Sequence, residues 1–188
     1  MLNSNSIIIK QTTSKYAEEG TCAHELAEYC LEQELDSVHG IGLEFNGIKV
    51  DLEMAEAVQV YLDAIRSRVK ENTEVIIEEK FFLDWIDEEL FGSNDCCLVD
   101  INDGKLTVMD YKHGAGVAVE AVDNTQLLYY ALGAARGYED IVDVDLIIVQ
   151  PRCDHPEGPI RTWSIDIERL MEFEKELKGA VGKVHEAE

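Results

Sequence analysis

Residues 95–112, DCCLVDINDGKLTVMDYK, constrain the fold more than any other stretch of this chain. Two apolar runs flank an Asn-Asp-Gly triplet, and a short Gly-containing turn between two such runs closes a pair of antiparallel strands. Side chains alternate faces along a strand, so Leu106, Val108, Asp110 and Lys112 share one face. An apolar face that turns charged at its end is either a strand reaching solvent or the floor of an active site. The hairpin sets neighbouring strands about 5 Å apart. Asp95, at the start of the first strand, therefore approaches Asp110 and Lys112 at one end of the sheet.

The rest of the chain supplies elements to cover that hairpin. Residues 14–36 predict a helix, with Ser14 as N-cap and an apolar stripe through Ala23, Leu26, Ala27, Cys30 and Leu31; Gly20 argues for a later start of the helix proper. A Gly-containing loop follows. Residues 51–71 predict a second helix, lined by Leu52, Ala55, Val58, Tyr61, Leu62, Ile65 and Val69. EVIIEEKFFLDW reads as a strand and EELFGSND as a turn. DNTQLLYYALGAARG reads as a helix with Asp123 as N-cap and Gly137 as its stop. VDLIIVQP is a short buried strand, PIRTWSI an edge strand, and residues 166–184 a closing amphipathic helix. The hairpin is antiparallel, and a helical crossover returns a parallel strand. The reading is one α/β domain over residues 1–188 with a mixed central sheet flanked by helices, its core at about 16–150 and an edge strand and helix at about 160–185.

At 188 residues with 46% apolar content, the chain can bury a substantial core. It has no apolar run long enough for a membrane span. The N-terminus lacks the order of a secretory signal. Five cysteines without CxxC or zinc spacing predict reduced, buried thiols in a cytoplasmic protein. The net charge of −23 excludes broad, nonspecific attraction to nucleic acid, which depends on Lys and Arg displacing counterions. Any nucleic-acid chemistry must rest on a local site, a metal ion or a basic partner.

Four features carry candidate chemistry. Asp95 in GSND and Asp110 in MDYK offer two carboxylates that suit Mg²⁺ or Mn²⁺. Lys112 offers an ammonium able to orient a water and to offset charge on phosphate. His24, near the start of the first helix, is a candidate further ligand. Gln126 and Tyr130 lie one helical turn apart and can bond a substrate or the acids. Each has a plainer reading. Asp110 and Lys112 would serve as a solvated ion pair, Asp95 would close a turn, and His24 would be structural. Asp123 and Gln126 would form a capping box.

Taken in order, these residues resemble the PD-(D/E)xK nuclease superfamily, in its RecB-like branch and a phage-associated subgroup. The order is His24, an acid in the first strand, G-x-x-D ending at Asp95, D-x-K over Asp110–Lys112, then Q-x-x-x-Y over Gln126–Tyr130. The resemblance covers roughly residues 16–150. It implies a restriction-endonuclease-like αβββαβ core and Mg²⁺- or Mn²⁺-dependent hydrolysis of DNA, by an exonuclease or recombination-associated enzyme. It implies metal ligation by His24, Asp95, Asp110 and the Tyr111 carbonyl, with Lys112 as the active-site lysine. Glu78 would be the first-strand acid, although Glu79 is adjacent and points to the other face. Some relatives carry a four-cysteine iron–sulfur cluster; no cysteine follows Cys153 here, so no cluster is expected. DNA is the implied partner, with a basic protein to deliver it as one option and a homo-oligomer as another. The acidic surface sustains a rival reading, a non-catalytic binding protein or DNA mimic on a nuclease-like scaffold.

Overall fold

The computed structural model describes residues 4–186, with side chains from residue 15 onward. The chain resolves into two compact units, each assembled from separated segments. The first takes the chain up to Arg66, Tyr111–Val119 and Val149–Pro159; the second takes Ser67–Asp110, Glu120–Ile148 and the chain from Ile160 on.

In the first unit, helix α1 (Ser4–Glu32) packs against helix α2 (Leu52–Arg66). The expected start at Ser14 is corrected, because α1 is already helical at Ser4 and Ser14 is an interior position. Gly20 does not delay the helix. A glycine costs about 1 kcal/mol there, and burial of Ala23, Leu26, Ala27 and Cys30 outweighs it. Asp51 caps α2, its carboxylate accepting from the Met54 N–H at 2.8 Å. The helix ends at Arg66, short of the expected residue 71. The intervening loop holds more order than its glycines suggest. It contains a 3₁₀ turn at Ser37–Gly40 and a two-stranded ribbon, β1 (Glu44–Phe45) and β2 (Ile48–Lys49). Asn46 and Gly47 join the ribbon with φ of 50° and 77°, the left-handed pair that a tight hairpin turn demands.

The second unit carries a five-stranded mixed sheet in the order β3-β4-β5-β6-β7. The strands are β3 (Thr73–Phe82), β4 (Phe91–Asp100), β5 (Lys105–Tyr111), β6 (Asp143–Val149) and β7 (Ile160–Asp166). β3/β4 and β4/β5 are antiparallel. Helix α3 (Thr125–Ala135) lies against β3 and β4, and helix α4 (Ile167–His185) lies against α3 and β7. The fold is thus mixed α/β. β5 is central and buried on both faces, since Thr107 and Met109 are as enclosed as Leu106 and Val108.

Two local expectations fail for identifiable reasons. FGSND is not a turn but the first half of β4, so Asp95 sits mid-strand rather than at a strand start. Gly92 is there for packing: a Cβ would stand 2.8 Å from Phe81 Cζ and 3.2 Å from Tyr129 Cε1. The rings lying over it outweigh its low strand propensity. The cap of α3 is Asn124, not Asp123; the Asn124 side chain accepts from Leu127 N at 3.1 Å. Asp123 takes φ 57°, and the one-residue shift removes the Asp123–Gln126 capping box.

Candidate active site

The ladder between β3 and β4 is regular except at one place. Ile77 pairs with Cys96 and Glu79 with Asn94, and between them Glu78 faces Asp95 without a recorded ladder pair. Glu78 has φ 49°, a left-handed conformation that costs a non-glycine residue about 1–2 kcal/mol. Alternation changes phase at this point. Ile76 before the break, and Glu79 and Phe81 after it, line one cavity. Glu79 therefore belongs to the cavity side, whereas a Glu78 carboxylate oxygen lies within 4.8 Å of one from Asp95.

On the other side of β4, Cys96 pairs with Met109. Continuing that register by one residue sets Asp110 across from Asp95. Glu78, Asp95 and Asp110 thus sit on three adjacent strands; the β4/β5 ladder pairs begin at Cys96–Met109, and the cluster of ligand atoms within 4.8 Å of one another includes Glu78 and Asp95 but not Asp110. Asp110 is 3% exposed, and the other two are half-buried. Burying a carboxylate carries a desolvation cost. Glu78 and Asp95 suit a hard divalent ion. At metal–oxygen distances of about 2.1 Å, ligands on opposite sides of an ion are about 4.2 Å apart, within the 4.8 Å bound on this pair.

Gln126 and Tyr130 meet on α3, with Nε2 donating to the Tyr130 oxygen at 2.6 Å. They line a groove of about 550 Å³ with Phe91, Tyr129 and Phe173. Tyr129 donates to the Phe91 carbonyl at 3.1 Å, tying α3 to the strand that carries Asp95.

The remaining expected site residues belong to the first unit. Tyr111 is fully buried, with the His24 ring edge-on at 5.4 Å and the Tyr61 ring at 5.2 Å. Its hydroxyl meets His113 Nδ1 at 2.8 Å. Lys112 is half-buried, and its N–H donates to the Val149 carbonyl at 2.9 Å. That bond lies one residue past the end of β5, which stops at Tyr111, so Lys112 is not part of the strand.

Two supports escaped the sequence reading. Gln150, 2% exposed, accepts from Val119 N and donates to the carbonyls of Gly114 and Val117, at 2.8–2.9 Å. It straps down the loop that follows Lys112. His113, set aside because it alternates away from Lys112, is buried beneath Tyr111. Only the apolar runs around them hint at such burial; their partners are distant in sequence.

Burial, then the Arg152 charge, push the His113 imidazole down to about 4. The unfolded chain takes a proton near pH 6.5 and the folded one does not, so acid favours unfolding. Linkage from that difference removes about 2 kcal/mol of stability between neutral pH and about pH 5. Urea unfolding across that range is expected to show the loss in the wild type. His113→Gln, which cannot titrate, should flatten it. An equal slope in both proteins would remove His113 as its source.

Among the described residues, no helix is long and apolar enough to cross a membrane. All five cysteines are free thiols, and burial raises those of Cys22, Cys30, Cys96 and Cys97. A family model described as a protein of unknown function (DUF2800) matches residues 5–187, and the chain belongs to that family.

Proposed function

We propose that this DUF2800 chain is a metal-dependent nuclease of the PD-(D/E)xK type, related to the RecB-like branch, that hydrolyses DNA phosphodiesters. The observation that supports the reading is the approach of the Glu78 and Asp95 carboxylates to within 4.8 Å at the left-handed residue of β3. Asp110, the next acid of the ordered motif, is buried on the neighbouring strand β5.

In this reading Glu78, Asp95 and Asp110 would hold Mg²⁺ or Mn²⁺, with His24 and the Tyr111 carbonyl as the further ligands that the motif order implies. A bound ion would polarise the scissile phosphate and acidify a bound water. Asp110 and Glu78 fix the charge and position of that centre through rigid strands. Lys112 holds its ammonium where negative charge develops on the phosphate and donates a hydrogen bond to the attacking water. Gln126 and Tyr130 present an amide and a phenol to the substrate. Tyr111 is wedged between the His24 and Tyr61 rings.

The decisive assay is cleavage of end-labelled single- and double-stranded DNA with Mg²⁺, Mn²⁺ or EDTA. Metal-dependent product from the wild type, absent from Asp110→Ala, is the expected result. Cleavage that survives both Asp110→Ala and Lys112→Ala would trace to a contaminant and end the proposal.

The charge of −23 favours a second reading, a non-catalytic acidic protein that binds a basic partner or mimics DNA. A mimic needs negative charge on its surface, not a buried Asp110 beside Lys112. Mn²⁺ titration followed by calorimetry separates the two: saturable binding lost in Asp95→Asn supports the nuclease. No Mn²⁺ binding, together with tight binding to a basic protein, supports the mimic. Between them stands an enzyme whose DNA is delivered by a basic subunit. Its activity alone would be weak, would fall steeply with salt, and would recover when that subunit is added.

A further inference from the structure

Helix α3 and the first residues of β4 border the groove of about 550 Å³ that holds Gln126 and Tyr130. Phe91, Tyr129, Ser93 and Thr125 line it with them, and none of its lining residues carries a charge. That is a departure for a chain in which 39 of 188 residues are acidic and only 16 are lysine or arginine. Cavities elsewhere in the second unit are lined by carboxylates, among them Glu79, Asp143 and Asp100. The open side of the groove is aromatic. Phe91 is 66% exposed, and Phe82, its partner across the β3/β4 ladder, is 61% exposed. Their ring centroids stand 6.4 Å apart. Single exposed apolar residues are ordinary, but adjoining ones beside a groove mark a contact surface.

We propose that this groove holds unpaired nucleotides of DNA, stacking their bases on Phe91 and Tyr129, with Phe82 extending the platform. The single strand, not the duplex, is then the substrate, an inference that rests on the nuclease reading above. Two kinds of contact hold a nucleic acid. Lysine and arginine draw in phosphates, an attraction that a duplex satisfies as well as a single strand. Aromatic rings stack on base faces, which needs no cation but does need the faces bare. A duplex hides those faces inside its own stack. The lining offers rings and no cation, so the contact it supplies is the second kind. A protein of net charge −23 repels a phosphate backbone, and a neutral groove is where an approaching strand meets least opposition. The hydroxyls of Ser93 and Thr125 and the Gln126 amide each donate and accept, so they can meet base edges without fixing a sequence. The position suits the chemistry too. Phe91 opens β4 and Asp95 lies four residues along the same strand, about 13 Å at the rise of a strand. A few unpaired nucleotides cover that distance, so one strand can be stacked at Phe91 and cleaved at the acids.

The test separates binding from cleavage by using the full chain in EDTA. Fluorescence anisotropy follows a labelled mixed-sequence oligonucleotide as a single strand, as its blunt duplex, and as an abasic strand with the same phosphates. The single strand is expected to bind saturably, the duplex and the abasic strand about tenfold or more weakly. Its affinity should change little with salt. Phe91→Ala should weaken single-strand binding about 5- to 150-fold, the range for losing one stacked base. Phe91→Trp should bind at least as tightly as the wild type. Because Phe91 is largely exposed, urea unfolding should be the same in all three proteins. Equal binding of duplex and single strand, equal binding of the abasic strand, or unchanged binding in Phe91→Ala would each overturn the proposal and leave the nuclease reading to its cleavage assay. So would a wild type that dimerises through this face, with Phe91→Ala monomeric and no oligonucleotide bound. Base-dependent binding with no cleavage in Mg²⁺ or Mn²⁺ would support the groove and end the nuclease reading instead.

Discussion

Lys112→Ala is expected to slow metal-dependent DNA cleavage by about 10²–10³-fold, the scale on which a single stabiliser of transition-state charge acts. Its melting temperature should stay close to the wild type. The two halves of that expectation have separate grounds. Lys112 is held in place by its backbone, through the N–H bond to Val149, and its side chain is only half-buried. Truncation therefore leaves the strand intact and opens no deep cavity. The rate loss should appear in kcat more than in KM, because an ammonium opposing developing negative charge is worth most in the transition state. Lys112→Arg keeps the charge but replaces a compact ammonium with a planar fork, and should recover only part of the rate. Mn²⁺ affinity measured in the same variants completes the test. A variant that loses metal along with rate would make Lys112 a structural support for the acids instead. Full activity in Lys112→Ala would remove the lysine from the chemistry.

The strand carrying Asp110 is legible because its information is local, in alternation, a turn triplet and two apolar runs; it ends at Tyr111, one residue short of the expected Lys112. The hairpin closes with Asp100 paired to Lys105, and Gly104 at φ 60° leaves room where a Cβ would stand 2.7 Å from the Asp140 carbonyl. Asp95 was assigned to the correct strand but the wrong part of it. Gly92, Ser93 and Asn94 read as turn residues, yet two of them answer a tertiary demand: space beneath Phe81 at Gly92, and a cavity wall at Asn94. A one-residue ambiguity between Asp123 and Asn124 was enough to give Gln126 a capping role that it does not have. Glu78 comes from the resemblance, and simple alternation, which sets Glu79 on the other face, does not hold through that point. Only the left-handed residue itself sends Glu78 towards Asp95 and Glu79 to the cavity, and no local pattern in VIIEEKFF announces it. Asn94, Gln150 and His113 were illegible for the same reason: their roles depend on partners brought in by the sheet and its loops.

That left-handed residue yields a second large effect. Glu78→Gly is expected to fold as stably as the wild type, or slightly more so, while losing both metal response and cleavage. Glycine relieves about 1–2 kcal/mol of left-handed strain and returns about 0.5–1 kcal/mol through the freedom it gives the unfolded chain. The net change in metal-free urea unfolding should therefore lie between zero and about 1.5 kcal/mol of gain. The carboxylate is lost with it. In the wild type, Mn²⁺ at 100 times its dissociation constant adds about 2.7 kcal/mol by mass action, and Glu78→Gly should lose most of that. Glu78→Gln separates conformation from charge: it keeps the strain, loses the anion, and should match Glu78→Gly in activity but not in stability. Glu78→Val sets the opposite limit, since a β-branched side chain is the least tolerant of positive φ; it should destabilise clearly without metal. A Glu78→Gly protein that retained the full Mn²⁺ stabilisation would show that the strain at Glu78 serves packing and not ligation. Nuclease activity would then have to rest on Asp95 and Asp110 alone. If metal response and cleavage disappear together while stability holds, the backbone cost at Glu78 is what keeps its carboxylate beside Asp95.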